Sequence, residues 1–321
     1  MSDLDAEFAR VLDGETSPEE TKAFLLRSIE LMREPEALAA GARAMRARMV
    51  RVQAPDGAID VCGTGGDGSH TLNISTAVAF VVAGAGVPVA KHGNRAMSSK
   101  CGAADVLEAL GVKLTGDVPT LERALREAGV AFLFAQNHHP AMRHVAAARK
   151  EIGKRTIFNL LGPLSNPAGV KRQLMGVFAP DFLLPVAEAL KLLGAELAIV
   201  VHGAGGVDEL TGNDGDRFVG LDHGIINESY LEFVGDDDVA KPITALQGGS
   251  AEENAAALRA LLEGRSENGV YRYVVELNAT MALVAAGCSF DEAAILPRES
   301  IEGGEALARL DALIEITRSA P

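Results

Sequence analysis

Four glycines fall within six residues directly after the apolar run that ends at Cys62. Glycine adopts backbone conformations that other residues avoid, so this spacing predicts a tight turn with accessible N–H groups. A second apolar segment, residues 77–90, leads into a group of cations, amides and hydroxyls. Two strand ends of these kinds suit a ligand rich in phosphate. The residues concerned are Gly63, Gly65, Gly66 and Gly68, and then Lys91, His92, Asn94, Arg95, Ser98, Ser99 and Lys100.

The pattern that continues from residue 54 predicts an α/β fold. Helical segments at Ala103–Leu110 and Leu121–Ala128 alternate with short apolar runs typical of buried strands. This alternation predicts a mostly parallel central sheet that is covered by helices on both faces, with ligands at the carboxyl ends of its strands. The predicted strands are Ile59–Cys62, Val87–Ala90, Val130–Phe134, Leu174–Phe178 and Leu197–Val201.

Residues 1–53 are predicted to form a small all-helical domain. Ser17 and Glu20 have the spacing of a capping box, and Pro35 opens a second helix. The turn signal at residues 55–57 marks the boundary, so residues 54–321 form the larger domain. Helices from about residues 137–165 are expected to join the small domain.

Composition excludes several classes of protein. The chain has 321 residues, a net charge of −14 and three widely spaced cysteines. This acidity argues against a nucleic-acid surface, so cations that hold an anion must be concentrated locally. The cysteines form no disulfide framework, and the acidic N-terminus lacks the apolar core of a signal peptide. We therefore expect a cytoplasmic protein without membrane contact.

The glycine turn matches the pattern G-x-G-x-x-G, which alone is a weak indication of a dinucleotide site. The second strand leads into Lys91 and His92 rather than into an acidic residue that could bind a ribose. Asp67 within the turn would repel a bare phosphate and suits a nearby divalent cation or a ribose hydroxyl. Asn73–Thr76 has two compatible interpretations, an ordinary helix N-cap and an anion site at a helix N-terminus.

Two further segments allow alternative interpretations. His138-His139-Pro140 opens a predicted helix that places His139 and Arg149 on roughly the same face, without the ligand spacing of a zinc site. Asp208 and Glu209 follow a buried strand. They are either solvated loop residues or ligands of Mg²⁺, which takes one or two protein carboxylates and completes its shell with water and phosphate.

Together these segments closely resemble the anthranilate phosphoribosyltransferase family. The matching stretches are GTGGDGSHTLNIST, KHGNRAMSSKCGAADVLEALG, NHHPAMRHVAAARKEIGKRTIFNLLGPLSNPAG and HGAGGVDELT. The resemblance covers roughly residues 15–315. It implies a small helical domain beside a larger α/β domain, dimerisation through the helical part, and transfer of the phosphoribosyl group of phosphoribosyl diphosphate to the amine of anthranilate in tryptophan biosynthesis.

The resemblance also implies site residues. Two Mg²⁺ ions would be held by Ser75, Asp208 and Glu209. Anthranilate would contact Gly63, His92, Asn94, His139, Arg149, Gly162 and Pro163. Phosphoribosyl diphosphate would contact Gly63, Gly66, Asp67, Thr71, Asn73, Ile74, Ser75, Thr76, Lys91, His92, Gly93, Asn94, Arg95, Ala96, Met97, Ser98, Ser99 and Ala103. No covalent nucleophile or general base is assigned.

The chain departs from the family pattern at three places. Leu72 stands where Phe is common, Cys101-Gly102-Ala103 replaces a common Ser-Gly-Ser, and TGNDGDRF after residue 210 is less typical. Two rival functions remain at this stage: a pyrimidine nucleoside phosphorylase of the same architecture, and a non-catalytic relative that binds a nucleic acid or a protein.

Overall fold

The fold is described from a computed structural model covering residues 3–66, 68–96, 100–230 and 242–320. Its strands form one seven-stranded sheet in the order β3-β2-β1-β4-β5-β6-β7. Strands β1 to β5 are parallel, and β6 and β7 add an antiparallel hairpin beyond β5. The strands are β1 (Ile59–Gly63), β2 (Val89–Gly93), β3 (Val130–Phe134), β4 (Arg172–Gly176), β5 (Leu197–His202), β6 (Arg217–Asp222) and β7 (Ile225–Tyr230).

Helices cover the sheet and form the N-terminal segment. The α-helices are α1 (Asp3–Asp13), α2 (Pro18–Arg27), α3 (Pro35–Arg46), α4 (Ile74–Gly84), α5 (Ala103–Leu110), α6 (Val118–Glu127), α7 (Ala135–His138), α8 (Arg143–Ile152), α9 (Phe158–Leu161), α10 (Leu183–Leu192), α11 (Ala251–Leu262), α12 (Gly269–Ala285), α13 (Phe290–Glu302) and α14 (Glu305–Arg318). Short 3-10 helices occur at Glu30–Arg33, Pro140–Met142, Pro163–Ser165, Pro180–Phe182 and Ile243–Leu246.

Two hydrophobic clusters divide the core between them. One lies where the apolar helix α4 packs against α12, α14 and the sheet. The other joins α1 to α3 with residues of α8, α9, α10 and the opposite side of the sheet. Phe8 lies at its centre, with its ring 5.0 Å from that of Phe24 in an edge-on contact. The division into two domains at residue 53 is not decided by this shared packing and stays a prediction.

The predicted mostly parallel sheet is confirmed, and several local signals act as expected. Ser17 and Glu20 form the capping box of α2, with Glu20 N–H donating to Ser17 Oγ over 3.2 Å. Strand β3 and helix α5 have the predicted bounds, and α5 ends at Gly111 in the left-handed conformation, with φ of 96°. None of the helices in the described ranges is long and apolar enough to cross a membrane.

Other predicted bounds are wrong. Strand β2 continues to Gly93, past the predicted end at Ala90, because its ladder with β3 runs through residues 89–93. Strand β4 lies two residues earlier than predicted, and β5 extends to His202. The hairpin of β6 and β7 was not predicted.

The predicted helix through His138 and Arg149 is interrupted. Helix α7 ends at His138, the backbone of His139 is not helical (φ −118°, ψ 65°), and α8 begins at Arg143. Proline has no backbone N–H and disfavours the helical conformation of the residue before it, so Pro140 ends the helix at this point. The argument that His139 and Arg149 share one helical face is therefore wrong.

Candidate active site at the carboxyl ends of the strands

The order of the strands places a crevice between β1 and β4. The chain leaves β1 toward β2 on one side, whereas β4 continues to β5 on the other, and such a switch point is where open parallel sheets bind ligands. Gly63 and Gly176, the last residues of the two strands, are paired in the sheet. The glycine turn and the loop after β5 both reach this point.

Asp208 occupies the switch point and contacts both strand ends. Its Oδ2 accepts a 2.8 Å hydrogen bond from Gly65 N–H. A Cβ atom at Gly63 would lie 2.3 Å from that oxygen, and one at Gly176 would lie 1.6 Å from the Asp208 carbonyl oxygen. These two positions therefore require glycine for the loop to approach. The glycine turn and residues 208–209 share one site, as the sequence predicts.

The three predicted metal ligands line the same small cavity. Its wall includes Ser75 at the first turn of α4, together with Asp208 and Glu209. The other lining residues are Val61, Cys62, Ile74, Val78, Leu174, Gly176, Val201 and Asn278. Within the described ranges no group of three or more His, Cys, Asp or Glu side chains has the arrangement of a metal site. The oxygen donors present are two carboxylates and a hydroxyl.

Lys91 is buried beneath this cavity rather than exposed at a strand end. Its Nζ donates to the Val61 carbonyl over 2.7 Å and lies 3.2 Å from Ser75 Oγ. Burial lowers the pKa of Lys91, and the nearby carboxylates of Asp60, Asp208 and Glu209 partly counter this. The cation thus contacts the floor of the cavity through Ser75.

The first turn of α4 does not use its N-cap side chain in the ordinary way. Asn73 makes no side-chain capping bond, and its Oδ1 instead accepts from Asn254 Nδ2 over 2.9 Å. The ordinary N-cap interpretation of Asn73 is therefore wrong. The next three residues differ in solvent exposure: Ser75 is partly accessible, whereas Ile74 and Thr76 are about 1% exposed. Thr76 lies beside Lys91 in a second small cavity.

The glycine turn itself depends on left-handed backbone. Gly65, Gly66 and Gly68 have φ of 60°, 70° and 81°. The position that a Cβ atom would take at each has no neighbouring atom within 4 Å. An L-residue is strained there, which is why this turn needs glycine. Predicted site residue Asp67 lies outside the described residues, as do Met97, Ser98 and Ser99. Thr71 lies after the turn, where it forms an isolated bridge with Gln247.

Arg95 is paired with two acidic side chains of α5. Its guanidinium donates to Asp105 Oδ1 over 2.8 Å, is paired with Glu108, and lies 5.5 Å from the centre of the Phe134 ring. Asp105 Oδ2 also accepts from the N–H groups of Ala96 (3.2 Å) and Gly102 (2.8 Å). Gly93 ends β2 and Asn94 follows it, before Ala96, and Ala103 begins α5, after Gly102.

Three of the residues predicted to contact anthranilate come together beside β2. His92 Nδ1 lies 3.1 Å from the Gly162 carbonyl, and His92 Nε2 lies 3.2 Å from His139 Nε2. Burial lowers the pKa of His92 well below its usual value and that of His139 to about 4. The pair is therefore neutral at physiological pH. Pro163 follows Gly162 and accepts from Gln173 Nε2 over 2.8 Å.

Arg149 lies in the last turn of α8 and is largely buried, which lowers its pKa. Asn94 is exposed, and its Oδ1 accepts from Arg95 N–H over 2.8 Å. Within the described residues neither side chain hydrogen-bonds to His92 or His139, so their convergence on one ligand stays a prediction.

Comparison with known proteins identifies the family. The family described as "Glycosyl transferase family, a/b domain" matches residues 55–307. The anthranilate phosphoribosyltransferase of Erythrobacter litoralis is 49% identical over 322 residues, which cover 98% of this chain and 96% of the relative. That of Mesorhizobium japonicum is 50% identical over 315 residues, 97% of this chain and 92% of the relative. This chain belongs to the anthranilate phosphoribosyltransferase family.

Solved structures of anthranilate phosphoribosyltransferases have the same fold. The enzyme of Thermus thermophilus superimposes with a TM-score of 0.90 at 42% identity, covering 98% of this chain and 95% of that one. The Saccharomyces cerevisiae enzyme in complex with PRPP and Mg gives 0.88 at 26% identity, covering 99% and 93%. Its complex with 4-fluoroanthranilate gives 0.86 at 26% identity, with the same coverage.

Sequence reasoning missed several residues that shape the candidate site. No sequence pattern near Gly176 or Asn278 indicates a role, because each acts through a contact with the distant loop that carries Asp208 and Leu210. Arg155 lies over the Phe178 ring, 4.2 Å from its centre, and donates to the Gly66 carbonyl. Arg155 lies in a basic segment of the sequence, where it could not be distinguished from a charged residue that is merely exposed to solvent.

Proposed function

We propose that the crevice between β1 and β4 is where this chain transfers the 5-phosphoribosyl group of phosphoribosyl diphosphate to the amine of anthranilate. The activity is that of its family, a pentosyl transfer in tryptophan biosynthesis. The observation that supports this site most directly is the 2.8 Å contact between Gly65 N–H and Asp208. It joins the predicted phosphate turn to the predicted metal loop.

The phosphates would be held mainly by backbone N–H groups and the N-terminus of α4. The glycine turn leaves Gly66 exposed at the mouth of the crevice, and Ser75 presents its hydroxyl inside it. Both the helix dipole and the N–H groups of the first turn favour a negatively charged ligand. Asn73, Thr71, Gly93 and Ala96 would contribute to this anion site, as the resemblance to the family implies.

The donor set at this site fits Mg²⁺. Mg²⁺ prefers hard oxygen ligands, uses one or two carboxylates and keeps positions for substrate phosphates, and Ser75, Asp208 and Glu209 supply this chemistry in one cavity. We propose two ions, one held by Ser75 and Glu209 and a second by Asp208 and Glu209. When bound, the metal would offset the charge that develops on the departing diphosphate.

The side chains of the protein would stabilise the same charge. Bond breaking at ribose C1 leaves negative charge on the diphosphate, and the transfer is completed when the amine nitrogen bonds to C1 and releases one proton to solvent. Lys91 acts from beneath Ser75, at 3.2 Å from its hydroxyl. Arg95 would have to exchange Asp105 and Glu108 for the diphosphate. A fixed charge such as that of Lys91 needs no reorganisation during the reaction, whereas Arg95 has to change partners first.

The anthranilate side of the site would combine two neutral, buried histidines with one cation. His92 and His139 offer imidazole surfaces near Gly162 and Pro163, and the guanidinium of Arg149 would bind the carboxylate. Holding the amine against ribose C1 supplies the remaining acceleration by proximity. An aromatic amine is a nucleophile in its neutral form, so this mechanism requires no covalent enzyme intermediate.

We further propose that the protein acts in the cytoplasm as a homodimer that associates through its helical domain, residues 1–53 with helices from residues 137–165. The support is the resemblance to the family, together with free cysteines at all three cysteine positions. Its ligands are then small molecules rather than nucleic acid or membrane.

The test is the loss of anthranilate fluorescence in the presence of phosphoribosyl diphosphate and Mg²⁺. The wild-type chain should show it, and the variant Asp208→Asn with Glu209→Gln should lose turnover and Mg²⁺ dependence together. Release of thymine from thymidine in the presence of phosphate serves as the control for phosphorylase activity. Wild-type protein that leaves anthranilate unchanged would refute the function, and equal Mg²⁺ titrations of both proteins would refute the metal assignment.

A further inference from the structure

The loop between β5 and β6 carries both proposed metal ligands and folds back on itself. The Gly203 N–H donates to the Val207 carbonyl over 2.9 Å, and a Cβ atom at Gly203 would lie 1.9 Å from the Glu209 carbonyl oxygen. Such a loop has little regular structure, so its conformation depends on side chains that bind its backbone.

Asp216 binds this loop from within. Its residue is about 1% exposed, and its two carboxylate oxygens accept four hydrogen bonds. Oδ1 accepts from Ala204 N–H (2.7 Å) and from the Thr211 hydroxyl (2.9 Å). Oδ2 accepts from the N–H groups of Thr211 (2.7 Å) and Gly212 (2.8 Å). One carboxylate thus ties together the chain before and after Asp208 and Glu209.

Asn278 of α12 binds the same segment from the other side. Its Oδ1 accepts from Leu210 N–H over 3.1 Å, and its Nδ2 donates to the Leu210 carbonyl over 2.8 Å. Leu210 separates Glu209 from Thr211, so the backbone directly after the proposed metal ligands is held on both sides. This leaves residues 208 and 209 with a defined position relative to Ser75.

We propose that Asp216 is a positioning residue for the metal site: it fixes the loop so that Asp208 and Glu209 meet the metal without rearrangement. This inference rests on the proposed function. Outer groups that orient metal ligands typically change metal affinity by about 10- to 100-fold when they are altered. The less typical stretch TGNDGDRF, which contains Asp216, is then the part of this chain that sets the geometry of its metal loop.

The variant Asp216→Asn tests this role because an amide has the shape of the carboxylate but one acceptor oxygen fewer. Its NH₂ group would face two N–H or hydroxyl donors, which would then have no acceptor. We expect the dissociation constant of Mn²⁺, measured by electron paramagnetic resonance with phosphoribosyl diphosphate present, to rise about 10-fold or more. The Mg²⁺ concentration for half-maximal rate should rise in parallel, with the anthranilate KM unchanged.

A gentler pair of variants keeps the test valid if Asp216→Asn does not fold. Thr211→Val removes the hydroxyl that donates to Oδ1, whereas Thr211→Ser retains it. Mn²⁺ should bind more weakly to the first and as in wild type to the second. Equal affinities of these two variants, or a wild-type affinity in folded Asp216→Asn, would overturn the proposal.

Asp117→Asn is the matched control for a general loss of stability. Asp117 is also a carboxylate that accepts from a backbone N–H and a threonine hydroxyl, both of Thr120, at the N-cap of α6. We expect it to lower the melting temperature and leave Mn²⁺ affinity unchanged. Equal weakening of Mn²⁺ binding in both aspartate variants would refute a specific role for Asp216. A wild-type chain without transferase activity would instead refute the proposed function.

Discussion

The substitution Gly63→Ala tests how closely the loop that carries Asp208 and Glu209 must approach the sheet. Gly63 is the last residue of β1 and is not in the left-handed region, so alanine fits its backbone. The added Cβ atom would lie 2.3 Å from Asp208 Oδ2 and 3.0 Å from Asp208 Cγ. Ordinary contact begins near 3.4 Å, so the carboxylate must move by about 1 Å.

This movement of the Asp208 carboxylate would stretch or break its 2.8 Å hydrogen bond from Gly65 N–H. A bond to a charged acceptor contributes about 1.5–3 kcal/mol, which corresponds to a change of about 10- to 150-fold in an equilibrium constant. A misplacement of about 1 Å can lower a rate by about 100-fold. We therefore expect a higher Mg²⁺ requirement and a lower kcat, with a loss of folding stability of at most about 3 kcal/mol.

The assay is a Mg²⁺ titration of the transferase rate, with thermal unfolding measured on the same samples. Gly269→Ala is the control, because Gly269 opens α12 and its Cβ position has no neighbour within 4 Å. A Gly63→Ala protein with the wild-type Mg²⁺ midpoint and kcat would show that the position of Asp208 does not matter, and the reasoning would fail.

Three further results are expected. Arg149→Ala should raise the anthranilate KM about 10- to 150-fold, and an increase confined to the KM for phosphoribosyl diphosphate would show that Arg149 is misassigned. Burial lowers the pKa of His139 from 6.5 to about 4, so between these pH values the unfolded chain binds more protons than the folded chain. The free energy of unfolding should therefore fall as the pH is lowered from 6.5 to 4, and it should fall less steeply in His139→Gln. Equal pH dependence in the two proteins would contradict this. Arg155→Ala should raise the KM for phosphoribosyl diphosphate because the guanidinium holds the Gly66 carbonyl, Arg155→Lys should recover part of the loss without the planar contact to Phe178, and the neighbouring Lys154→Ala should behave as wild type in the same kinetics.

Local signals in the sequence were sufficient for many elements of the fold. Ser17 with Glu20, Gly111 after α5 and the apolar run of β3 each specify structure within a few residues, and the structure agrees. The bounds of β2 were wrong because Lys91 and His92 are polar, a feature typical of a strand end. Their polar atoms find partners inside the protein, at Val61 and Gly162, which no local pattern reveals.

The candidate site divides in the same way. Its residue types, a glycine turn followed by a hydroxyl-rich helix start and two loop carboxylates, were evident from the sequence. The contact of Gly65 with Asp208 joins residues 143 positions apart, and that of Leu210 with Asn278 joins residues 68 apart. Pairings of this range depend on the order of strands in the sheet, which the pattern of strands and helices leaves undetermined.

By itself, the sequence determined that this chain is an α/β protein, and its motifs determined the family and predicted where phosphate would bind. The tertiary structure alone decided that β1 and β4 are neighbours, so that Gly63 and Gly176 admit Asp208 between them. It also decided that Asp216 and Asn278 bind the loop that carries Asp208 and Glu209. The physical reason is that backbone conformation follows from neighbouring residues, whereas close approach and buried hydrogen bonds depend on which distant segments the packed sheet brings together.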